Sequence, residues 1–241
     1  MIYINFLSDF YIFQIFRQTG GFLASFNPGI IDFPYGVAVT SKQFIVITDI
    51  CHHRVVVLYP SGGTRNYFGR FGDDITCFDH PYYIATDQDD NIVISDSGNS
   101  RIKITDLNGN VLKIYTTDDF KLYDEHFIML HGVAIDSENN ILIIGNNTIY
   151  CVANNGRLWE VVLPSNGLDA PRSLACSHHG QIMVTQYDLN RRHEVLVFSF
   201  CKEDFRSLKR LPQKLCLPPS VAEPDVSIRQ FDNVTDDKSE T

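Results

Sequence analysis

FDHPYYIATDQDDNIVISDSGNSRIKITDLNG, residues 78–109, holds three short apolar runs separated by two polar turns. YIAT and IVIS flank DQDDN, and RIKIT follows SDSGNS. Runs of Ile, Val and Tyr bounded by Asp, Asn and Gly read as β-strands joined by hairpin turns. The same arrangement stands upstream at 33–63, FPYGVAVTSKQFIVITDICHHRVVVLYPSGG. Pro34, Asp49, Arg54 and Gly62 each precede Pro81, Asp96, Arg101 and Gly109 by 47 residues. Several markers held in one register, with apolar runs between them, define an internal repeat.

Two weaker copies follow. LHGVAIDSENNILIIGNNTIYCVANNG (130–156) lacks the Asp…Arg pair and carries Gly145 and Asn146 near the Asp position. APRSLACSHHGQIMVTQYDLNRRHEVLVF (170–198) has a degenerate turn with Gln186, Arg191 and Arg192. Upstream, IFQIFRQTGGFLASF (12–26) reads as a third strand, a glycine turn and a fourth strand. The repeats are placed at about 27–73, 74–122, 123–163 and 164–211, after a partial unit at 1–26. GVAVT (36–40), FIVIT (44–48), RVVVLY (54–59) and RNYF (65–68) supply the strands of the first complete unit. No helical periodicity of useful length interrupts them. One such unit cannot bury both of its faces alone. Repetition about an axis buries each sheet between its neighbours, so the expected fold is an all-β propeller.

Bulk composition narrows the function. The chain has 241 residues, 44% of them apolar, a net charge of −9 and a pI near 5.3. A uniformly basic field for nucleic acid is therefore absent. Six cysteines lie far apart with no C-x-x-C pair, which removes sequence support for a zinc ribbon or RING site. Their even number suits disulfides, but a chain this long without a secretory signal favours buried free thiols. MIYINFLSDFYIFQIF at the N-terminus is broken by Asn5, Asp9 and Gln14 and lacks a basic start. It reads as strand, not as a signal peptide or a membrane span. The expected setting is cytoplasmic, with no membrane association. LPPSVAEPDVSIRQFDNVTDDKSET, and the segment 212–241 as a whole, reads as a polar, acidic, disordered tail.

The pattern P-x-G-V/I-A…I-V-I-T/S-D…R-V/I…G resembles the NHL repeat, most strongly over 33–109. His53-Arg54 stands where that motif has its His-Arg, while Ser100-Arg101 lacks the histidine. The resemblance implies a propeller that usually closes with six blades. Its best-known setting is the C-terminal end of tripartite-motif (TRIM) ubiquitin ligases, where it binds a protein substrate or RNA. Too few copies are present for six blades, so the resemblance implies a partial chain or an open arc. Any E3 ligase activity, or self-association, would then come from RING, B-box or coiled-coil domains that these residues do not supply.

Within that frame, catalytic, metal and cofactor sites are all expected to be absent. His52-His53 and His178-His179 fall in turns. Asp87-Gln88-Asp89-Asp90-Asn91 lacks the Gly and terminal Glu of a calcium loop and reads as a hairpin turn. No G-x-S-x-G elbow occurs. Arg65, Tyr67, Arg70, Phe71, Tyr82 and Tyr83 cluster around the connection between the first two complete repeats. Tyr and Arg dominate binding hot spots, and Tyr82-Tyr83 replaces the Tyr35-Gly36 of the previous copy. Arg65, Arg70, Tyr82 and Tyr83 are accordingly the expected partner-binding residues. The expected partner is a protein, such as a ubiquitination substrate. Single-stranded RNA is a second reading, disfavoured by charge. Bases such as Arg206, Lys209, Arg210 and Lys214 fall in the C-terminal segment. A propeller enzyme, such as an amidating lyase or lactonase, is a third. Asp49, His53, Arg54, Asp96 and Arg101 are read as structural motif, each Asp forming a cross-turn ion pair with its Arg or bonding the backbone. As a surface pair it contributes about 0–1 kcal/mol, and more where partly buried.

Overall fold

A computed structural model describes residues 2–7, 10–17, 19–26, 29–120, 130–161, 168–177, 179–187, 193–200 and 208–210. The tail at 212–241, with Arg206, Lys214 and His178, lies outside the described residues. Among the described residues nearly all regular structure is β, with a single 3-10 turn at Ser97–Asn99.

Four antiparallel sheets of four strands each follow one another as propeller blades. The first blade is β4 (Pro34–Val39), β5 (Ile45–Asp49), β6 (Arg54–Leu58) and β7 (Thr64–Phe68). The second is β8 (Pro81–Thr86), β9 (Ile92–Asp96), β10 (Arg101–Thr105) and β11 (Val111–Thr116). The third is β12 (Leu130–Ile135), β13 (Ile141–Gly145), β14 (Thr148–Val152) and β15 (Leu158–Val161). The fourth is β16 (Pro171–Cys176), β17 (Gln181–Tyr187), β18 (His193–Phe200) and β19 (Leu208–Arg210). Ahead of them lies a three-stranded sheet, β1 (Ile2–Leu7), β2 (Phe10–Phe16) and β3 (Phe22–Phe26). That sheet has one more strand than the two read from 12–26, because Ile2–Leu7 pairs with β2.

Side chains alternate across a strand, so a blade buried on both sides can be apolar at every position. β5 shows the rule. Ile45 and Ile47 pack with Phe13 of β2, while Val46 packs with Phe78, Ile92 and Ile94 of the second blade's side. β9 repeats it, sending Ile92 and Ile94 back to the first blade and Val93 forward to Ile141 and Ile143 of β13. Leu142 and Ile144 then meet Leu174, Ile182 and Val184 of the fourth blade. Each fully buried Val or Ile contributes about 1.5–3 kcal/mol, so these interfaces are the core.

The inner strands β4, β8, β12 and β16 lie next to one another. Each has a bulge at its start, between Pro34 and Val37, Pro81 and Ile84, Leu130 and Val133, and Pro171 and Ser173. A bulge re-aims side chains and bends the strand. The two ends of the blades differ. One carries the β5–β6 and β9–β10 turns and the long connectors between blades, such as 69–80. The β13–β14 turn lies at that same end, and the other end carries the β4–β5, β6–β7, β8–β9, β10–β11, β12–β13 and β14–β15 turns.

Candidate functional site

The Asp–Arg pairs frame the connector end. Asp49 and Asp96 are fully buried, so neither pair is a surface ion pair. Asp96 Oδ1 accepts the Asp79 main-chain N–H at 2.7 Å, and Oδ2 accepts the Arg101 Nε–H at 2.7 Å. The Arg101 guanidinium then donates to the carbonyls of Asp73, Asp74 and Cys77, tying the 69–80 connector to the blade. Asp49 similarly accepts from the Phe33 N–H at 3.2 Å and from Arg54, which donates onward to the Ile30 carbonyl. Removing one partner of a buried pair costs about 3–5 kcal/mol, well above the surface figure.

At the start of the inner strands, one side chain per blade meets its neighbour. Tyr35, Tyr82, His131 and Arg172 occupy the second position of β4, β8, β12 and β16. Their bulged strands deliver them, together with Tyr83, to one cavity of about 540 Å³ that Ser173 and Thr185 also line. The Tyr35 and Tyr82 rings are 4.7 Å apart in an edge-on arrangement, and Tyr83 approaches Tyr35 at 5.4 Å and His131 at 6.3 Å. Arg172 Nη1 donates to His131 Nε2 at 3.1 Å. Burial, reinforced by the Arg172 charge, pushes the His131 imidazole down to about 4. It is therefore neutral at neutral pH, with Nε2 as its lone-pair nitrogen. The belt thus offers phenols, a neutral imidazole and a guanidinium, which suits an anion or an aromatic group.

Gly36 and Gly132 show why Tyr83 is unusual in this row. A Cβ at Gly36 would lie 2.7 Å from the Tyr82 carbonyl oxygen, and one at Gly132 would lie 2.8 Å from Ser173 Cα. Glycine there lets the next inner strand come close. The second blade carries Tyr83 at the equivalent position, and its ring enters the belt.

The residues singled out by sequence divide between the two ends. Tyr82 and Tyr83 join the belt. Arg70 lies exposed on the 69–80 connector, and the Cys77 sulfur beside it raises its guanidinium above the ordinary value. Arg65 sits at the hairpin end, where it donates to the Leu107 carbonyl and Asn108 Oδ1. The connector end also exposes Phe33, Tyr35, Tyr67, Phe71 and Ile75, Phe71 and Ile75 more than 60% accessible. His131, Arg172, Asp79 and His80 were not legible as site residues. The signal for the first two was their recurrence at spacings of 47, 49 and 41 residues from Tyr35 onward.

His52 and His53 diverge. His52 Nδ1 faces Asp49 at 2.9 Å and its Nε2 faces Asp32 at 3.4 Å. His53 instead turns to Asp79 and His80. In the acidic turn at 87–91, Asp87 bonds within the turn and Asp90 bonds the neighbouring blade. Asp87 accepts the Asp89 and Asn91 N–H groups, and Asp90 accepts the Ser41 N–H at 2.6 Å across the blade interface. At the hairpin end, a cavity of about 610 Å³ lies between the third and fourth blades. Cys151 and Cys176 line it, and burial pushes both thiols up to about 12, so they are not nucleophiles. Cys51, in contrast to the expected buried thiols, is exposed.

No family model matches the chain. Among solved structures it is similar to a streptogramin B lyase, with a TM-score of 0.59 and 16% identity over 83% of this chain. A gluconolactonase from Xanthomonas campestris gives 0.58 and 15% over 85% of this chain and 66% of its own. A chain of the mitotic checkpoint complex gives 0.57 and 11% over 88% of this chain and 64% of its own. The chain spans 61% of the length of the streptogramin B lyase. At such identities the likeness is one of fold, and it runs across enzymes and an assembly alike. No helix among the described residues is long and apolar enough to cross a membrane.

Proposed function

We propose that this chain is a recognition propeller that binds a protein partner at its connector end, as the substrate-recognising part of a TRIM-like E3 ubiquitin ligase. The observation that carries the reading is the exposure of Phe33, Tyr35, Tyr67, Phe71 and Ile75 at the end that also carries exposed Arg70. Aromatics and arginine are the composition of interface hot spots, and large apolar side chains facing water on one end suit a binding surface. The buried Asp49 and Asp96 networks hold that end rigid before contact, which lowers the ordering cost of binding. A photo-crosslinking residue at position 71 should form a discrete protein adduct in cells, and one at exposed Leu112 should not. Ubiquitination of the captured protein should fall when Phe71→Asp is introduced into the intact protein. Equal labelling from 71 and 112 would remove the reading.

The belt favours a second reading, channel chemistry. A neutral His131, its Nε2 held by Arg172, keeps an N–H to donate. With the guanidinium it places in one cavity two groups that stabilise negative charge developing on a carbonyl oxygen. The lyase and lactonase structures support it at the level of fold alone. Turnover of lactone or cyclic ester substrates, abolished in His131→Asn, is the expected result on this reading. Activity unchanged in that variant would exclude it.

A further inference from the structure

His53 and His80 are both held in the left-handed region, with φ of 51° and 48°. That conformation costs an L-residue about 1–2 kcal/mol, and such strain concentrates at functional sites. Here it brings together side chains from two separate segments. His53 ends the β5–β6 turn, while Asp79 and His80 close the connector into the second blade.

Asp79 is clamped from behind. Its N–H donates to buried Asp96, and its carbonyl accepts the Gly98 N–H at 2.8 Å. Its carboxylate lies over Gly98, where a Cβ would come within 2.5 Å of Cγ. Asp79 Oδ1 stands 2.5 Å from His80 Nδ1 and 3.6 Å from His53 Nδ1. One ligand atom from each of the three residues falls within 4.8 Å of the others.

We propose that His53, Asp79 and His80 form a binding site for a zinc-class divalent cation. A tetrahedral zinc ion with bonds of about 2.0–2.1 Å needs its ligand atoms about 3.3 Å apart. The 3.6 Å between His53 and Asp79 meets this. His80 Nδ1, which donates to Asp79 Oδ1 at 2.5 Å, gives up that proton to the solvent and draws back by about 0.8 Å when the ion enters. Two imidazoles and one carboxylate match zinc, cobalt or nickel and not calcium or magnesium, which take oxygen ligands. His53 Nδ1 is the lone-pair nitrogen of its ring, because it accepts the His80 N–H at 3.0 Å. On metal binding that amide yields its place and turns to solvent. The Phe71 ring, 4.8 Å from His53, covers one side, and half-exposed His80 leaves a fourth position open. The neighbouring trio Asp32, Cys51 and His52 is exposed, and His52 is already engaged through both ring nitrogens. A bound ion would fasten the 69–80 connector to the β5–β6 turn. The inference stands independently of partner recognition.

Titration of the purified chain with Co²⁺, followed by ligand-field absorbance and displaced by Zn²⁺, tests it. One ion per chain should bind in the micromolar range with a tetrahedral spectrum, and Zn²⁺ should raise the melting temperature. His80→Ala and, independently, His53→Asn, which tolerates positive φ, should each weaken binding tenfold or more. Cys51→Ser combined with His52→Gln should leave it unchanged. Circular dichroism of each variant shows that the fold persists. Failure to bind even at large molar excess would overturn the site. So would binding that survives both histidine variants, or that follows Cys51 and His52.

Discussion

Lys103 is the residue most at odds with its position. It is fully buried, at the place where the first blade, 47 residues earlier, carries the equally buried Val56. Its Nζ donates to the Cys77 carbonyl, lies 3.6 Å from Asp96 and sits 4.1 Å from the centre of the Phe78 ring. Burial nonetheless dominates the nearby Asp96 charge and pushes the ammonium down to about 8 from 10.5. The unfolded chain therefore binds more protons than the folded one between those two values. Stability rises with pH across that window and is lower at neutral pH, by up to about 3 kcal/mol. Lys103→Met keeps the volume and drops the desolvation cost. Asp96 keeps Arg101 and Asn99, and the Cys77 carbonyl keeps Arg101. The variant should be about 1–3 kcal/mol more stable at pH 7, and its urea midpoint should not climb between pH 8 and 10.5 as the parent's does. A destabilised variant would mean that the ammonium contributes more than its burial costs.

At the scale of elements, strands were legible and bulges were not. GVAVT, FIVIT, RVVVLY and RNYF fall on β4 to β7 because Val, Ile and aromatic runs stop at Asp, Gly and Asn, and those stops coincide with hairpin turns. The recurrence of Asp49 at Asp96 likewise carried the blade repeat. Its burial was not legible, since a turn Asp and a buried Asp look alike in sequence. What decides between them is the Phe33 and Asp79 amides, which the connectors return from elsewhere in the chain. The bulges at the starts of β4, β8 and β16 open on Pro34, Pro81 and Pro171, but that of β12 opens on Leu130. A proline equally marks a plain strand start, so the bulges that set the belt were not distinguishable. Tyr82-Tyr83 stood out because a tyrosine replaced a repeat glycine. His131 and Arg172 did not, because the same repeat position carries a different chemistry in each blade. Proximity in sequence also grouped Arg65 with Arg70, although β7 separates them and carries them to opposite ends.

The whole molecule is organised by nearest neighbours. Each apolar cluster draws on two adjacent sheets, as Val93 and Ile102 of the second blade do with Ile141 and Ile143 of the third. Stability of such an array is close to a sum of sheet and interface terms. Fully buried Ile143 lies in the interface between the second and third blades. Ile143→Ala should cost about 2–5 kcal/mol, through lost burial and the cavity left behind. The loss should be local in hydrogen exchange. Amides of β9, β10 and β13 should exchange faster, whereas those of β5 and β6, whose clusters include no residue of the third blade, should change least. An equal loss of protection in every blade would show instead that the sheets unfold as one cooperative unit. In that case the rigidity of the connector end would depend on interfaces far from it. Any stabilising change between the third and fourth blades would then slow exchange of the connector-end amides as well.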